Sequence, residues 1–114
     1  MKILLHGASG VMGKNVQAVV SENPDCSIVA GVDRGIHAEE SSAFPVYPDI
    51  KKVKENFDVI IDFSVKEAVD ALLAFAVEKK KALVLCTTGL SETQLEKIEE
   101  AGRTIQILQS GNMS

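Results

Sequence analysis

Cysteine is scarce in this chain: Cys26 and Cys86 are its only two thiols, far apart and without a C-x-x-C pair. That excludes a disulfide framework and a cysteine-built zinc site, and both thiols are expected to be reduced. Histidine is equally sparse. His6, ending a run of apolar residues, and His37, in a loop, stand apart and suggest neither a metal site nor a catalytic triad. Basic charge is also short, with 12 Lys and Arg against 16 Asp and Glu and a net charge of −4, and no basic stripe. Nucleic acid and anionic membrane are therefore not expected as partners. The one basic run, Lys79-Lys80-Lys81, falls where a helix should end and suits the negative end of its dipole. No apolar window is long enough to span a bilayer, and the N-terminus enters a strand rather than a signal peptide, so a cytoplasmic protein is expected.

What the chain does have is a regular alternation of two hydrophobic periods over 114 residues, enough for one domain with its own core. Strand-like runs are expected at Lys2–Leu5, Ser27–Val32, Asp58–Asp62, Ala82–Cys86 and Ile105–Gln109. Helical periodicity spans Val11–Glu22, with Val16, Val19 and Val20 on one face, and Val65–Glu78, with Ala68, Leu72, Phe75 and Ala76. Ser64-x-x-Glu67 and Ser91-x-x-Gln94 have the form of capping boxes at two helix starts. Alternating strands and helices with right-handed crossovers predict a doubly wound parallel sheet with helices on both faces. Gly35–Pro48 is the least regular stretch, and Val46-Tyr47 is expected as a very short edge strand.

The first strand runs directly into Gly7-Ala8-Ser9-Gly10-Val11-Met12-Gly13, a G-x-x-G-x-x-G turn that opens a helix. Glycines there let backbone approach an anionic ligand, and the N–H groups of a helix start favour a pyrophosphate. The second strand ends in Asp33, twenty residues beyond Gly13, where an acid can accept from the hydroxyls of an adenosine ribose. Arg34 beside it could neutralise a 2′-phosphate, so the pair suits either NADH or NADPH; a surface ion pair is the alternative.

In an open parallel sheet, ligands gather beyond the carboxyl ends of the strands. Besides the glycine loop and Asp33-Arg34, those ends carry Phe63-Ser64, Thr87-Thr88-Gly89 and Ser110–Met113. Thr87 and Thr88 offer hydroxyls and N–H groups near a nicotinamide, or form an ordinary turn. Cys86 ends the apolar run Leu83-Val84-Leu85 and reads as a core residue rather than a nucleophile. Asp58 and Asp62 bracket one strand; an acid pair is conceivable, and solvated strand ends are expected.

Five segments in order, Gly7–Gly13, Asp33-Arg34, Asp62-Phe63-Ser64, Thr87-Thr88-Gly89 and Asn112-Met113-Ser114, resemble the N-terminal half of the 4-hydroxy-tetrahydrodipicolinate reductases, also called dihydrodipicolinate reductases. The resemblance covers essentially the whole chain. It implies a Rossmann-like cofactor domain of a cytoplasmic oxidoreductase of lysine and diaminopimelate biosynthesis, in which NADH or NADPH gives a hydride to a cyclic substrate. By position it assigns the pyrophosphate to Gly7, Ala8, Ser9, Gly10, Val11 and Met12, and the adenosine ribose to Asp33 and Arg34. Phe63 joins the cofactor site, and Cys86, Thr87 and Thr88 with Ser110, Gly111, Asn112 and Met113 line the nicotinamide side. The family carries arginine where Val11 stands, and the missing cation favours NADH.

The resemblance further implies that the catalytic residues, the substrate contacts and the surface forming a homotetramer lie in a second domain beyond Ser114, so that this chain binds cofactor without turnover. The lack of a helix after Gln109 agrees with a truncation at Ser114. A sheet face left without its covering helix should expose apolar surface and promote self-association. Two other readings stay open: a noncatalytic nucleotide or coenzyme A module, which Asp33 disfavours by repelling a 3′-phosphate, and a semialdehyde-type dehydrogenase with Cys86 as nucleophile.

Overall fold

The computed structural model describes residues 1–7, 11–33 and 44–109, with side chains for all of these except 11–14. In chain order the elements are β1 (Lys2–His6), α1 (Val11–Ser21), β2 (Ser27–Val32), β3 (Val46–Tyr47), β4 (Val59–Asp62), α2 (Val69–Lys79), β5 (Ala82–Leu85), α3 (Glu92–Ala101) and β6 (Ile107–Gln109). Short 3₁₀ turns at Ile50–Lys52 and Lys66–Ala68 precede β4 and α2. The strands form one sheet in the order β3-β2-β1-β4-β5-β6, every pairing parallel. This is the doubly wound order, and it reverses direction between β1 and β4.

The two-residue period of the strands sorts their side chains between two layers. Leu4, Ile60, Leu83 and Leu85 pack with Leu72, Phe75 and Ala76 of α2 and with Ile98 and Ala101 of α3. On the opposite face Ile3 and Ile61 share an apolar groove with Val16, Val19 and Val20 of α1. Helices thus lie on both faces, as the alternating pattern predicts. Coverage of the α1 face is incomplete among the described residues. Leu108, the register partner of Val84 and so on the same face as Ile61, is 62% exposed. Val19 is 63% exposed, so the apolar stripe predicted for α1 is buried only at Val16 and Val20, and in part.

Boundaries shift by a few residues for identifiable reasons. Asp58 lies outside β4, where its carboxylate accepts from the Lys2 amide at 2.8 Å. Ile105 precedes β6 because its amide is still held by the Ala101 carbonyl, at 3.0 Å, while its side chain is buried. The Ser91 capping box forms, with Ser91 Oγ accepting from Gln94 N and Gln94 Oε1 accepting from Ser91 N. The Ser64 box does not: Val65 caps the 3₁₀ turn without a side-chain bond, and Ser64 Oγ donates to Asp62 instead. At the C-terminus of α2, Lys80 adopts φ 55° and closes the helix, while the ammonium groups of Lys79 and Lys81 sit over the rings of Phe75 and Phe57. The basic run is a helix ending, as expected.

Candidate functional site

At the reversal point β1 and β4 lie side by side with His6 opposite Asp62 and Leu5 opposite Ile61. His6 and Asp62 fall on the same face as Leu4 and Ile60, so two polar side chains replace the last layer of the core. Both are buried, Asp62 completely. A buried carboxylate needs donors on each oxygen. Oδ1 accepts from His6 Nδ1 at 2.7 Å, Ser64 N at 3.1 Å and Ser64 Oγ at 2.5 Å, and Oδ2 accepts from Thr87 Oγ1. Burial alone would push the Asp62 carboxyl up; the donors from His6, Ser64 and Thr87 outweigh it and hold the group below the ordinary aspartate value. Asp62 is therefore ionised at neutral pH and fixes the imidazole with its proton on Nδ1.

This arrangement corrects two sequence expectations. His6 is not isolated, and Asp62 is not a solvated strand end. The period-2 pattern of Asp58–Asp62 could not show it, because the partner lies 56 residues away on another strand. Thr87 is buried with its hydroxyl committed to Asp62, whereas Thr88 is exposed. Cys86 is half-buried rather than a core residue, its amide donating to the Asp62 carbonyl at 3.0 Å. That bond and the Thr87 hydroxyl tie the β5 exit to Asp62.

Gly7 makes the close approach of the two central strands feasible. Its φ is +88°, and a Cβ built there would stand 2.7 Å from the Phe63 carbonyl oxygen and 3.0 Å from Ser64 N. Its amide donates to the Val32 carbonyl at 2.8 Å, and Phe63 N donates to the His6 carbonyl at 2.8 Å. The exits of β1, β2 and β4 are laced together in this way around a cleft of ≈ 320 Å³. Its walls are His6, Gly7, Val32, Asp33, Phe63, Ser64, Val65 and Ala68. Asp33 is held by its amide, which donates to Tyr47 O at 2.9 Å, and is half-buried. α1 begins at Val11 with no acid in its first turn, leaving its positive end uncompensated from within.

Of the residues expected at a cofactor site, Gly7, Asp33 and Phe63 converge on this cleft; Thr87 does not line it, its hydroxyl donating to Asp62 behind the cleft and to the carbonyl of the wall residue Ser64. Val11 and Met12 stand in the first turn of α1. Ala8, Ser9, Gly10, Arg34 and Ser110, Gly111, Asn112 and Met113 lie outside the described residues. His6, Val32, Val65 and Ala68 are walls that the sequence does not single out as cofactor contacts; the first three stand directly beside a glycine, acid or serine at a strand end, and Ala68 carries no such signal. No cluster of three or more potential metal ligands occurs among the described residues.

A family profile described as the N-terminus of dihydrodipicolinate reductase matches residues 1–113. The chain belongs to the dihydrodipicolinate reductase family. A 4-hydroxy-tetrahydrodipicolinate reductase of Caldanaerobacter subterraneus subsp. tengcongensis is 46% identical over 114 residues, all of this chain and 44% of that protein. One from Clostridium novyi is 40% identical over 99% of this chain and 44% of its own length. The chain thus spans less than half the length of the curated family members it matches. Among solved structures, a dipicolinate-bound dihydrodipicolinate reductase from Paenisporosarcina sp. TG-14 superposes with a TM-score of 0.76 at 21% identity, covering 90% of this chain and 43% of that one. An oxidoreductase from Agrobacterium radiobacter, in complex with NAD+, L-tartaric acid and magnesium, gives a TM-score of 0.73 at 17% identity over 96% of this chain and 34% of that one. At those identities the structural likeness bears on the fold, which is Rossmann-like.

Proposed function

We propose that this chain is the dinucleotide-binding domain, residues 1–114, of a 4-hydroxy-tetrahydrodipicolinate reductase of lysine and diaminopimelate biosynthesis. The observation that carries the reading is the cleft at the β1/β4 reversal point, where Gly7 and Asp33 converge. Its surroundings fit a dinucleotide: Gly7 and a helix N-terminus that follows it in the chain for the pyrophosphate, and an acid at the end of β2 for a ribose. The bound nicotinamide would supply the hydride. The chain's own part is to hold and orient it: Gly7 and the loop to Met12 at the pyrophosphate, Asp33 and Arg34 at the ribose, Phe63 in the cleft wall. The family resemblance assigns the nicotinamide side to Cys86, Thr87 and Thr88 with Ser110, Gly111, Asn112 and Met113.

Val11 leaves the glycine turn without a cation, so NADH is favoured over NADPH. Substrate contacts, catalytic groups and the homotetramer interface belong to the part of the family's length that this chain does not span, and the whole enzyme works in the cytoplasm. Titration calorimetry with NADH, NADPH and coenzyme A tests the reading. NADH is expected to bind at least as tightly as NADPH and coenzyme A not at all. NADPH binding about tenfold tighter or more, a 1.4 kcal/mol difference, overturns the cofactor preference; binding of coenzyme A alone overturns the dinucleotide reading.

A further inference from the structure

We propose that His6 is a ligand-contacting residue of the cleft, with Asp62 as the positioning residue that presents its Nε2 to a ribose hydroxyl of the dinucleotide. The inference rests on the dinucleotide reading of the cleft and adds to it a contact outside the glycine turn. His6 is a wall of the cleft, yet its side chain is only 7% exposed. Nδ1 is occupied by Asp62 Oδ1 at 2.7 Å. Nε2 has no hydrogen-bond partner among the described residues, and no fully buried side-chain nitrogen or oxygen among them lacks one. The accessible sliver of the imidazole is therefore its Nε2 edge, and it opens on the cleft.

The chemistry of that edge is set by the carboxylate behind it. In the tautomer whose proton is on Nδ1, Nε2 is the acceptor of the ring. Pyrophosphate oxygens carry no proton to give at neutral pH, whereas ribose hydroxyls do. Asp33, an acceptor of the same kind, lines the same cleft. An imidazole and a carboxylate together can take both hydroxyls of one sugar. Leucine or valine at this position would satisfy the core equally well and would not bring a buried acid with it. Asp62 in turn draws its remaining bonds from Ser64 and Thr87, so the ring orientation is fixed from three strand ends.

The test separates the two nitrogens. In His6→Asn the amide nitrogen stands near the place of Nδ1 and can still donate to Asp62, but nothing replaces Nε2. This variant is expected to melt within a few degrees of wild type and to bind NADH roughly three- to tenfold more weakly, the effect of one hydrogen bond. NADH affinity within about twofold of wild type overturns the proposal while leaving the dinucleotide reading intact. A wild-type chain that does not bind NADH overturns both. A second measurement does not depend on the variant folding: in histidine-labelled wild type, NADH is expected to move the ¹⁵N resonance of His6 Nε2 and to leave Nδ1 nearly in place. An Nε2 resonance unmoved by saturating NADH overturns the proposal.

Discussion

His6 and Asp62 are partners twice over, as opposed residues in the β1–β4 register and through a 2.7 Å bond between imidazole and carboxylate. Backbone pairing brings the two side chains to one layer, and burial then obliges them to satisfy each other. The pair converts a strand alignment into a defined ring orientation at the mouth of the cleft.

The acid limb of the stability profile should report Asp62. Its carboxyl titrates below the ordinary 3.8 when folded, so the unfolded chain takes up the proton first as pH falls. The stabilisation is complete above the unfolded value and is lost as pH drops through it toward the folded one. Replacing Asp62 by Asn is expected to cost about 1–3 kcal/mol at pH 7. In urea unfolding at stepped pH, the gap between the two proteins should hold from neutrality down to about pH 5 and close in stronger acid. A gap that persists unchanged at the acid end would show that the charge is immaterial.

Gly7 and Gly89 form a matched comparison. Both have positive φ, +88° and +75°, but only Gly7 lacks room for a Cβ. Gly89→Ala should cost about 1–2 kcal/mol, the conformational strain alone. Gly7→Ala adds a clash with the Phe63 carbonyl, which must move and so widen the β1–β4 exit. Chemical denaturation should rank Gly7→Ala clearly below Gly89→Ala, and NADH affinity should fall only in the former. Equal losses would mean that the close contact relaxes freely.

Leu108 is the place to test self-association. It stands 62% exposed on the sheet face that α1 covers only in part. Sedimentation velocity of this chain is expected to show weight-average mass rising with concentration, and Leu108→Lys to suppress the rise. A monomer at every concentration would show that the apolar strip is too small to drive pairing.

The sequence was most legible where local chemistry decides the outcome. The Ser91 box forms because Ser91 and Gln94 need only each other. The Ser64 box has the same spelling and fails, since a buried carboxylate two residues away competes for the hydroxyl and wins. The same logic divides the site. Gly7 and Asp33 carry their meaning in their spacing along the chain. His6 does not, because what makes it a polar wall of the cleft is a residue on β4 that only the folded sheet brings alongside.

The central place of β1 has a consequence for how the molecule comes together. The first strand in the chain borders both β2, which follows soon after, and β4, which begins only at Val59. One of its two edges therefore stays without its partner until Val59–Asp62 has been made, and closing it means forming the longest loop in the sheet. The cleft cannot be assembled piecemeal. Its His6 wall acquires an orientation only when that late pairing is made, so ligand competence should emerge together with the β1–β4 ladder and be lost first when that ladder opens.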